Sequence, residues 1–224
     1  MRPQPLRDER GFTLIELLVA SVCTMVVLGG AVAMTSKLQD GYRRQVEDAA
    51  GEQEARYALE WINRYLRSVG NNPFSVTDSD CPSVNTAFEG LIPNSTDDSR
   101  LTIQSDSNPP DGLIGGDTTT TPPCDQSNEH VTISFDATTH TIQFQDNASA
   151  AATRTDAVID DLQFLYFTSA KESWPEHDPN PSDPDANNIF YVQTRIKIRT
   201  RTTDALAGGP ATRTLSSEVR VRSR

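Results

Sequence analysis

Residues 11–34, GFTLIELLVASVCTMVVLGGAVAM, decide the fold of this chain. From Phe12 to Met34 the only charged residue is Glu16, and no proline interrupts the run of 23 residues. A helix of that length crosses a hydrocarbon core of about 30 Å. We therefore predict a transmembrane helix over residues 12–34, preceded by a charged leader over residues 1–11.

Glu16 is the residue in this run that a simple membrane anchor does not explain. A carboxylate near the membrane core costs roughly 2.5–3.5 kcal/mol on insertion scales. A secretory signal peptide would have a shorter apolar core followed by a small-residue cleavage site. Here the helical pattern continues without a break. Glu16 is therefore predicted to be a functional group that meets a cationic partner.

Beyond the apolar run, apolar residues recur every three or four positions, which is typical of an amphipathic helix. The first stripe is Leu38, Tyr42, Val46 and Ala49, and the second is Ala55, Leu59, Ile62, Leu66 and Val69. The sequence GNNP at residues 70–73 then ends the helix. We predict that residues 35–70 continue the helix and that its second stripe packs against a β-domain of the same chain.

After the helix the apolar period changes from 3.6 to 2, which indicates β-strands. Residues 130–135 and 140–144 form a predicted hairpin, and residues 190–200 alternate strictly between apolar and polar. Residues 162–167 are apolar on both faces, so they are expected at the centre of a sheet. We predict an α+β fold in which the long N-terminal helix packs against an antiparallel β-sheet head, residues 71–224, with long loops.

The inner face of the strand at residues 190–200 is expected to carry Phe190, Val192, Ile196 and Ile198. On the outward face and on the last strand, a basic row is formed by Arg195, Lys197, Arg199, Arg201, Arg220 and Arg222. The row suggests a DNA-contact strip, but it lacks the interleaved aromatic residues of single-strand binders. We interpret it as a solvated sheet face.

The net charge of −11 is unevenly distributed along the chain. Residues 72–191 contain 20 acids and three bases, whereas residues 193–224 contain eight bases and two acids. An acidic body of this kind disfavours nonspecific nucleic-acid binding, so DNA is not an expected partner. The Asp-rich residues 178–188 offer oxygen ligands for calcium but lack the ligand order of an EF-hand. We expect a solvated acidic loop there, with no metal and no cofactor.

Three cysteines and three histidines bear on the chemistry of the chain. Cys23 lies in the apolar run, whereas Cys81 and Cys124 lie in the polar body and are predicted to form a disulfide in an oxidising compartment. Two free thiols are the alternative, and no CxxC spacing indicates zinc. No nucleophile or phosphate-binding motif accompanies the histidines. The chain is predicted not to be an enzyme.

Residues 11–20, GFTLIELLVA, resemble the class III signal of type IV prepilins and type II secretion pseudopilins. The resemblance implies that prepilin peptidase cuts between Gly11 and Phe12 and that Phe12 becomes N-methylated. It also implies that the helix remains as membrane anchor and polymerisation surface. Glu16 would then pair with the Phe12 amine of a neighbouring subunit, where an unpaired charge in a low-dielectric surrounding is heavily penalised.

Four further segments resemble PilW-type minor pilins: EQEARYALE (52–60), YLRSVG (65–70), VIDDLQFLY (158–166) and LSSEVRVR (215–222). Residues 77–121 and 173–188 fall outside this resemblance and are predicted to be loops. The resemblance implies a minor pilin that supports pilus initiation or assembly. Its head would lie in the periplasm while the helix is held in the bacterial inner membrane, and later at the cell surface in the pilus.

The implied partners are other pilins and minor pilins, prepilin peptidase, the inner-membrane assembly machinery and inner-membrane lipid. Two alternatives stay open at this point. One is a type II secretion pseudopilin, which shares the N-terminal signal. The other is a membrane-anchored periplasmic binding domain that does not polymerise.

Overall fold

A computed structural model of the chain describes residues 11–75, 88–94, 96–107, 110, 112, 114, 127–147, 149–175, 188–203 and 210–221. Within these residues one helix is followed by eight strands. The chain divides into two compact units, Met1–Val46 and Glu47–Arg224.

Helix α1 spans Leu14–Ser68 without interruption. Its sequence contains no proline, and its apolar first part and its amphipathic continuation are both compatible with helical geometry. The predicted helix from residue 12 to residue 69 is confirmed with its ends shifted by one or two residues. Shifts of this size are ordinary at frayed helix ends.

The strands form two antiparallel sheets. The first has the order β1-β2-β3-β4-β5 and the second has the order β6-β7-β8. The strands of the first sheet are β1 (Leu91–Pro93), β2 (Arg100–Gln104), β3 (His130–Asp136), β4 (Thr141–Asp146) and β5 (Ala152–Thr153). Those of the second are β6 (Ile159–Phe167), β7 (Tyr191–Thr203) and β8 (Pro210–Arg220). The predicted hairpin is β3 and β4.

The strand registers align apolar residues across each sheet. In the first sheet Leu101 pairs with Ile133, which pairs with Phe144. In the second sheet Leu162 pairs with Ile196, which pairs with Leu215. Because successive residues of a strand point to opposite faces, this pairing gives each sheet one apolar face. The period-2 prediction is therefore confirmed for β3, β4 and β7.

The second stripe of α1 supplies the helical side of the core. Its five members are all buried: Ala55, Leu59, Ile62, Leu66 and Val69. On the same part of the helix, the Trp61 ring meets the Phe144 ring of β4 edge-on with centroids 6.1 Å apart. Tyr65 lies 5.3 Å from the same Phe144 ring. The prediction of an α+β fold, with a long helix packed against antiparallel β-structure, is confirmed.

Glycine residues close the C-terminal end of α1. Gly70 has a φ of 68°, the left-handed conformation that ends many helices, and its N–H donates to the Gln104 carbonyl of β2 at 3.2 Å. Gly90, with φ of 73°, lies so close that an added Cβ would be 2.9 Å from the Gly70 Cα. The stop predicted at residues 70–73 is therefore confirmed, and it is also the point where the helix is tied to the first sheet.

Strand β6 is not central, contrary to the prediction for residues 162–167. It lies at one edge of the three-stranded sheet. Its outer edge is covered by other backbone: the Phe164 N–H donates to the Asp98 carbonyl at 2.7 Å, and the Trp174 N–H donates to the Tyr166 carbonyl at 2.9 Å. This covering by connecting segments accounts for an edge strand with the apolar composition of a central one.

Residues 77–121 are not entirely loop, as had been predicted. They include β1 and β2, whose Leu91, Leu101 and Ile103 are buried in the core. The alternation from Leu101 to Ile103 is too short to identify a strand by its period alone. A smaller correction concerns the two residues just before β7: Ile189 is buried, and Phe190, predicted to face inward on this strand, is only half-buried.

Candidate functional site

Thr13 and Glu16 form a capping box at the start of α1. The Thr13 backbone N–H and the Thr13 hydroxyl each donate to Glu16 Oε2 at 2.9 Å. In return the Glu16 N–H contacts Thr13 Oγ1 at 3.3 Å, while the Leu17 N–H donates to the Thr13 carbonyl at 3.2 Å. This reciprocal arrangement satisfies N–H groups that a helix start otherwise leaves without partners.

Gly11 and Phe12 precede the helix in a non-helical backbone, and the Phe12 side chain is 89% exposed. The apolar side chains that follow are exposed as well, from Leu14 to Met34. By length and composition this helix is long and apolar enough to cross a membrane. No residue of its most apolar segment is buried within the protein. An apolar surface of this extent needs lipid or protein to cover it.

The structure thus places Gly11, Phe12 and Glu16 within one turn of the helix start, where the sequence predicts them. Thr13 is the member that sequence reasoning missed. Its signal was present, because Thr13-Leu14-Ile15-Glu16 matches the S/T-x-x-E pattern of a capping box. The predicted disulfide partners Cys81 and Cys124 lie outside the described residues. Cys23 is an exposed free thiol on α1.

The basic row on β7 is partly neutralised by one carboxylate. Asp160 of β6 accepts a hydrogen bond from Arg199 at 2.9 Å and forms an ion pair with Lys197 at 3.3 Å. Partial burial acts to raise the pKa of Asp160, but the hydrogen bonds from Arg199 and Lys197 together lower it. Arg195 is exposed and hydrogen-bonds Gln193. The positive charge that this face offers to a polyanion is correspondingly reduced.

Two further basic side chains of the row, those of Arg201 and Arg222, lie outside the described part of the chain.

His130 is buried on β3, and burial lowers its pKa. His140 lies in the turn before β4 with a φ of 56°, and His177 is outside the described residues. Among the residues that the structure describes, no group of three or more His, Cys, Asp or Glu is placed to hold a metal. The Asp-rich segment 178–188 is undescribed apart from Asn188.

Residues 6–32 match the family model described as the prokaryotic N-terminal methylation motif. The matched span contains Gly11, Phe12, Thr13 and Glu16, and it covers most of the exposed apolar run. A comparison of the chain with curated proteins finds no match.

The matched motif supports a type IV pilin-like or pseudopilin-like protein, and the α+β fold with its long N-terminal helix is consistent with that class. More particularly, the motif and the apolar N-terminal helix fit a membrane-anchored, prepilin-type subunit. The motif implies interaction with prepilin peptidase and with other pilins in general. Motif and fold point to a structural, non-enzymatic protein.

Proposed function

We propose that this chain is a minor pilin of a type IV pilus, of the PilW type, that supports pilus initiation or assembly by helix packing. The observation that carries the proposal is the methylation-motif match over residues 6–32, on a helix whose apolar residues are exposed. The PilW assignment rests on the four sequence segments quoted above, in α1, β6 and β8.

Prepilin peptidase would cut between Gly11 and Phe12 and release the leader, residues 1–11. Two features support this position. The Gly11–Phe12 bond precedes the first helical residue, Leu14, so the backbone there is not engaged in helical hydrogen bonds. In addition, glycine offers no side chain to obstruct a peptidase. N-methylation of the new Phe12 amine would follow.

Glu16 would carry the register of assembly. In the single chain its carboxylate accepts both hydrogen bonds from Thr13, which holds it at the helix start where the Phe12 amine would form. A neighbouring subunit could supply its own Phe12 amine to the same carboxylate. Away from water an unpaired charge is strongly unfavourable, so helices would pack in the axial position that pairs the two.

We assign a different role to each successive segment of the chain. Residues 12–34 would anchor in inner-membrane lipid and pack against other pilins and minor pilins, residues 35–70 would join anchor to head, and residues 71–224 would form the head. The head would lie in the periplasm before the inner-membrane assembly machinery adds the subunit to a filament at the cell surface.

The test is the N-terminal mass of the protein from sheared surface filaments, compared with that from the membrane fraction. A chain beginning at methylated Phe12 in both fractions is the expected result. Processed chain confined to the membrane fraction would instead favour a type II secretion pseudopilin. An unprocessed leader in both fractions would contradict the proposal and leave an anchored domain that does not polymerise.

A further inference from the structure

An open groove of about 430 Å³ lies on the exposed first part of α1, within the unit Met1–Val46. It is lined by Gly30, Ala33, Met34, Lys37 and Leu38. Met34 and Leu38 are 65% and 63% exposed, so their apolar side chains form accessible walls. Between such walls Gly30 contributes no side chain and Ala33 only a methyl group. The groove is therefore apolar along most of its length, with one cation, Lys37, near its C-terminal end.

Lys37 lies where the membrane-spanning part of α1 is expected to leave the hydrocarbon core. A charged Glu16 favours a position at one boundary of that core, and about 20 helical residues cross it. Counted from Leu17, the other boundary falls near Ser36, directly before Lys37. The apolar part of the groove is thus expected at the depth of lipid acyl chains, and its cation at the depth of lipid headgroups.

Arg44 adds a second cation on the same face of the helix. It follows Lys37 by seven residues, which is close to two helical turns. Gly41 lies between them, and a Cβ added there would have nothing within 4 Å. Helical side chains lean toward the N-terminus, so we expect the Arg44 guanidinium on the side of Lys37. Among the described residues, neither cation has a carboxylate at ion-pair distance.

This combination fits an anionic phospholipid. An acyl chain needs an apolar surface inside the core, and a phosphate needs cations just outside it, where long basic side chains place their charge. A second copy inserted at the same depth would bring its own Lys37 and Arg44 to the level of these cations, where like charges repel. Orientation does not account for the two cations either, because lysine and arginine that orient a span lie in excess on its cytoplasmic flank.

We propose that the anchored chain binds an anionic phospholipid on this face of α1. An acyl chain lies in the groove against Gly30 and Ala33, and the phosphate is held by Lys37 and Arg44 through charge-assisted hydrogen bonds. The lipid sets the depth at which the helix is held in the membrane. The proposal rests on the proposed anchoring of residues 12–34 and does not depend on which filament the chain enters.

The test is native mass spectrometry of the full chain in an uncharged detergent, mixed with equal amounts of phosphatidylglycerol and phosphatidylcholine that carry identical acyl chains. We expect a species of one chain with bound lipid that retains phosphatidylglycerol roughly tenfold more than phosphatidylcholine. Lys37→Gln/Arg44→Gln should abolish this preference. Arg64→Gln/Arg67→Gln removes the same charge farther along α1 and should leave the preference unchanged.

Two matched pairs of variants separate a defined site from a diffuse attraction. Arg43→Gln removes a cation that lies about 100° around the helix from Arg44, so the headgroup preference should persist. Gly30→Leu fills the groove without changing the charge and should reduce the retention of both lipids. Gly29→Leu adds the same side chain outside the lining residues and should not. A Cβ at either glycine has nothing within 4 Å, so neither substitution creates a clash within the chain.

Equal retention of the two lipids, no retained lipid, or an equal loss of preference in Arg43→Gln would overturn the proposal. So would lipid retention that ignores Gly30→Leu. A species of two chains that Gly30→Leu abolishes would assign the groove to a second copy and overturn it as well. None of these outcomes bears on cleavage before Phe12, so this inference and the proposed function can fail separately.

Discussion

At the scale of single residues, the Glu16 carboxylate has two roles. It completes the capping box with Thr13 in the single chain, and we propose that it pairs with a neighbour's Phe12 amine in an assembly. Both uses favour a carboxylate at this position. They differ in whether the negative charge itself is required, because a neutral amide also accepts hydrogen bonds.

We predict that Glu16→Gln inserts normally into the membrane but enters sheared filaments at least about tenfold less than the native chain, since the neighbour's amine loses its counter-charge. Thr13→Val is the matched control: it removes the capping hydroxyl and keeps the carboxylate, so incorporation should persist. Immunoblots of the membrane and filament fractions measure both variants. Normal amounts of Glu16→Gln in filaments would refute the pairing role.

Gly90 illustrates a residue whose importance is steric. A methyl group there would meet the Gly70 Cα at 2.9 Å, and its φ of 73° is strained for any residue with a side chain. We predict that Gly90→Ala lowers the free energy of unfolding by about 1–3 kcal/mol, measured by denaturant titration of the full chain in detergent. Gly51→Ala adds the same methyl where nothing lies within 4 Å and should not destabilise. Equal stabilities of the two variants would exclude the steric explanation.

His130 should make stability depend on pH. Burial lowers its pKa, so between the folded value and the unfolded value of about 6.5 the unfolded chain binds more protons. Stability should therefore fall as the pH falls below about 6.5. Thermal unfolding at about pH 7.5 and about pH 5.5 should show a smaller difference in Tm for His130→Gln than for the native chain. His140→Asn, on the same hairpin, is the control. If His130→Gln showed the same difference in Tm between the two pH values as the native chain, groups other than His130 would cause the pH dependence of stability.

At the scale of elements, α1 carries two apolar stripes, of which the second is buried and the first is exposed. Leu59, Ile62 and Leu66 of the second stripe are buried, whereas Leu38 of the first is 63% exposed. Sequence periodicity identifies both stripes equally well, because it reports that a face is apolar and not what covers it. The cover of the second stripe is provided by strands distant in sequence.

Leu66→Ala should therefore destabilise the head by about 2–5 kcal/mol, since it leaves a cavity between α1 and the sheets. Leu38→Ala on the same helix should change the free energy of unfolding by less than about 0.5 kcal/mol. Tryptophan fluorescence during denaturant titration measures both, because Trp61 lies in the core. If Leu38→Ala lowered the free energy of unfolding as much as Leu66→Ala, the first stripe would be covered within the single chain.

At the scale of the whole molecule, the predicted Cys81–Cys124 bond stays a prediction, since both residues lie outside the described part of the chain. A loop of this size should contribute roughly 3–5 kcal/mol on the chain-entropy model. Peptide mapping without reductant should recover the two cysteines in one linked fragment, and Cys81→Ser should lower the Tm. Cys23→Ala, which removes the exposed thiol, should change neither the recovery of the linked fragment nor the Tm. Recovery of both cysteines as free thiols would end the disulfide prediction.

The sequence by itself determined the long helix, its stop at Gly70, the β3–β4 hairpin, the α+β class and the grouping of Gly11, Phe12 and Glu16. These features depend on residues close together in the chain, where periodicity and capping patterns are direct signals. Only the tertiary structure decided that the strands divide into two sheets, that β6 lies at an edge, and that β1 and β2 enter the core. It also decided that Asp160 engages Lys197 and Arg199. Each of these depends on which distant segments come together, and hydrophobic periodicity carries no information about partners.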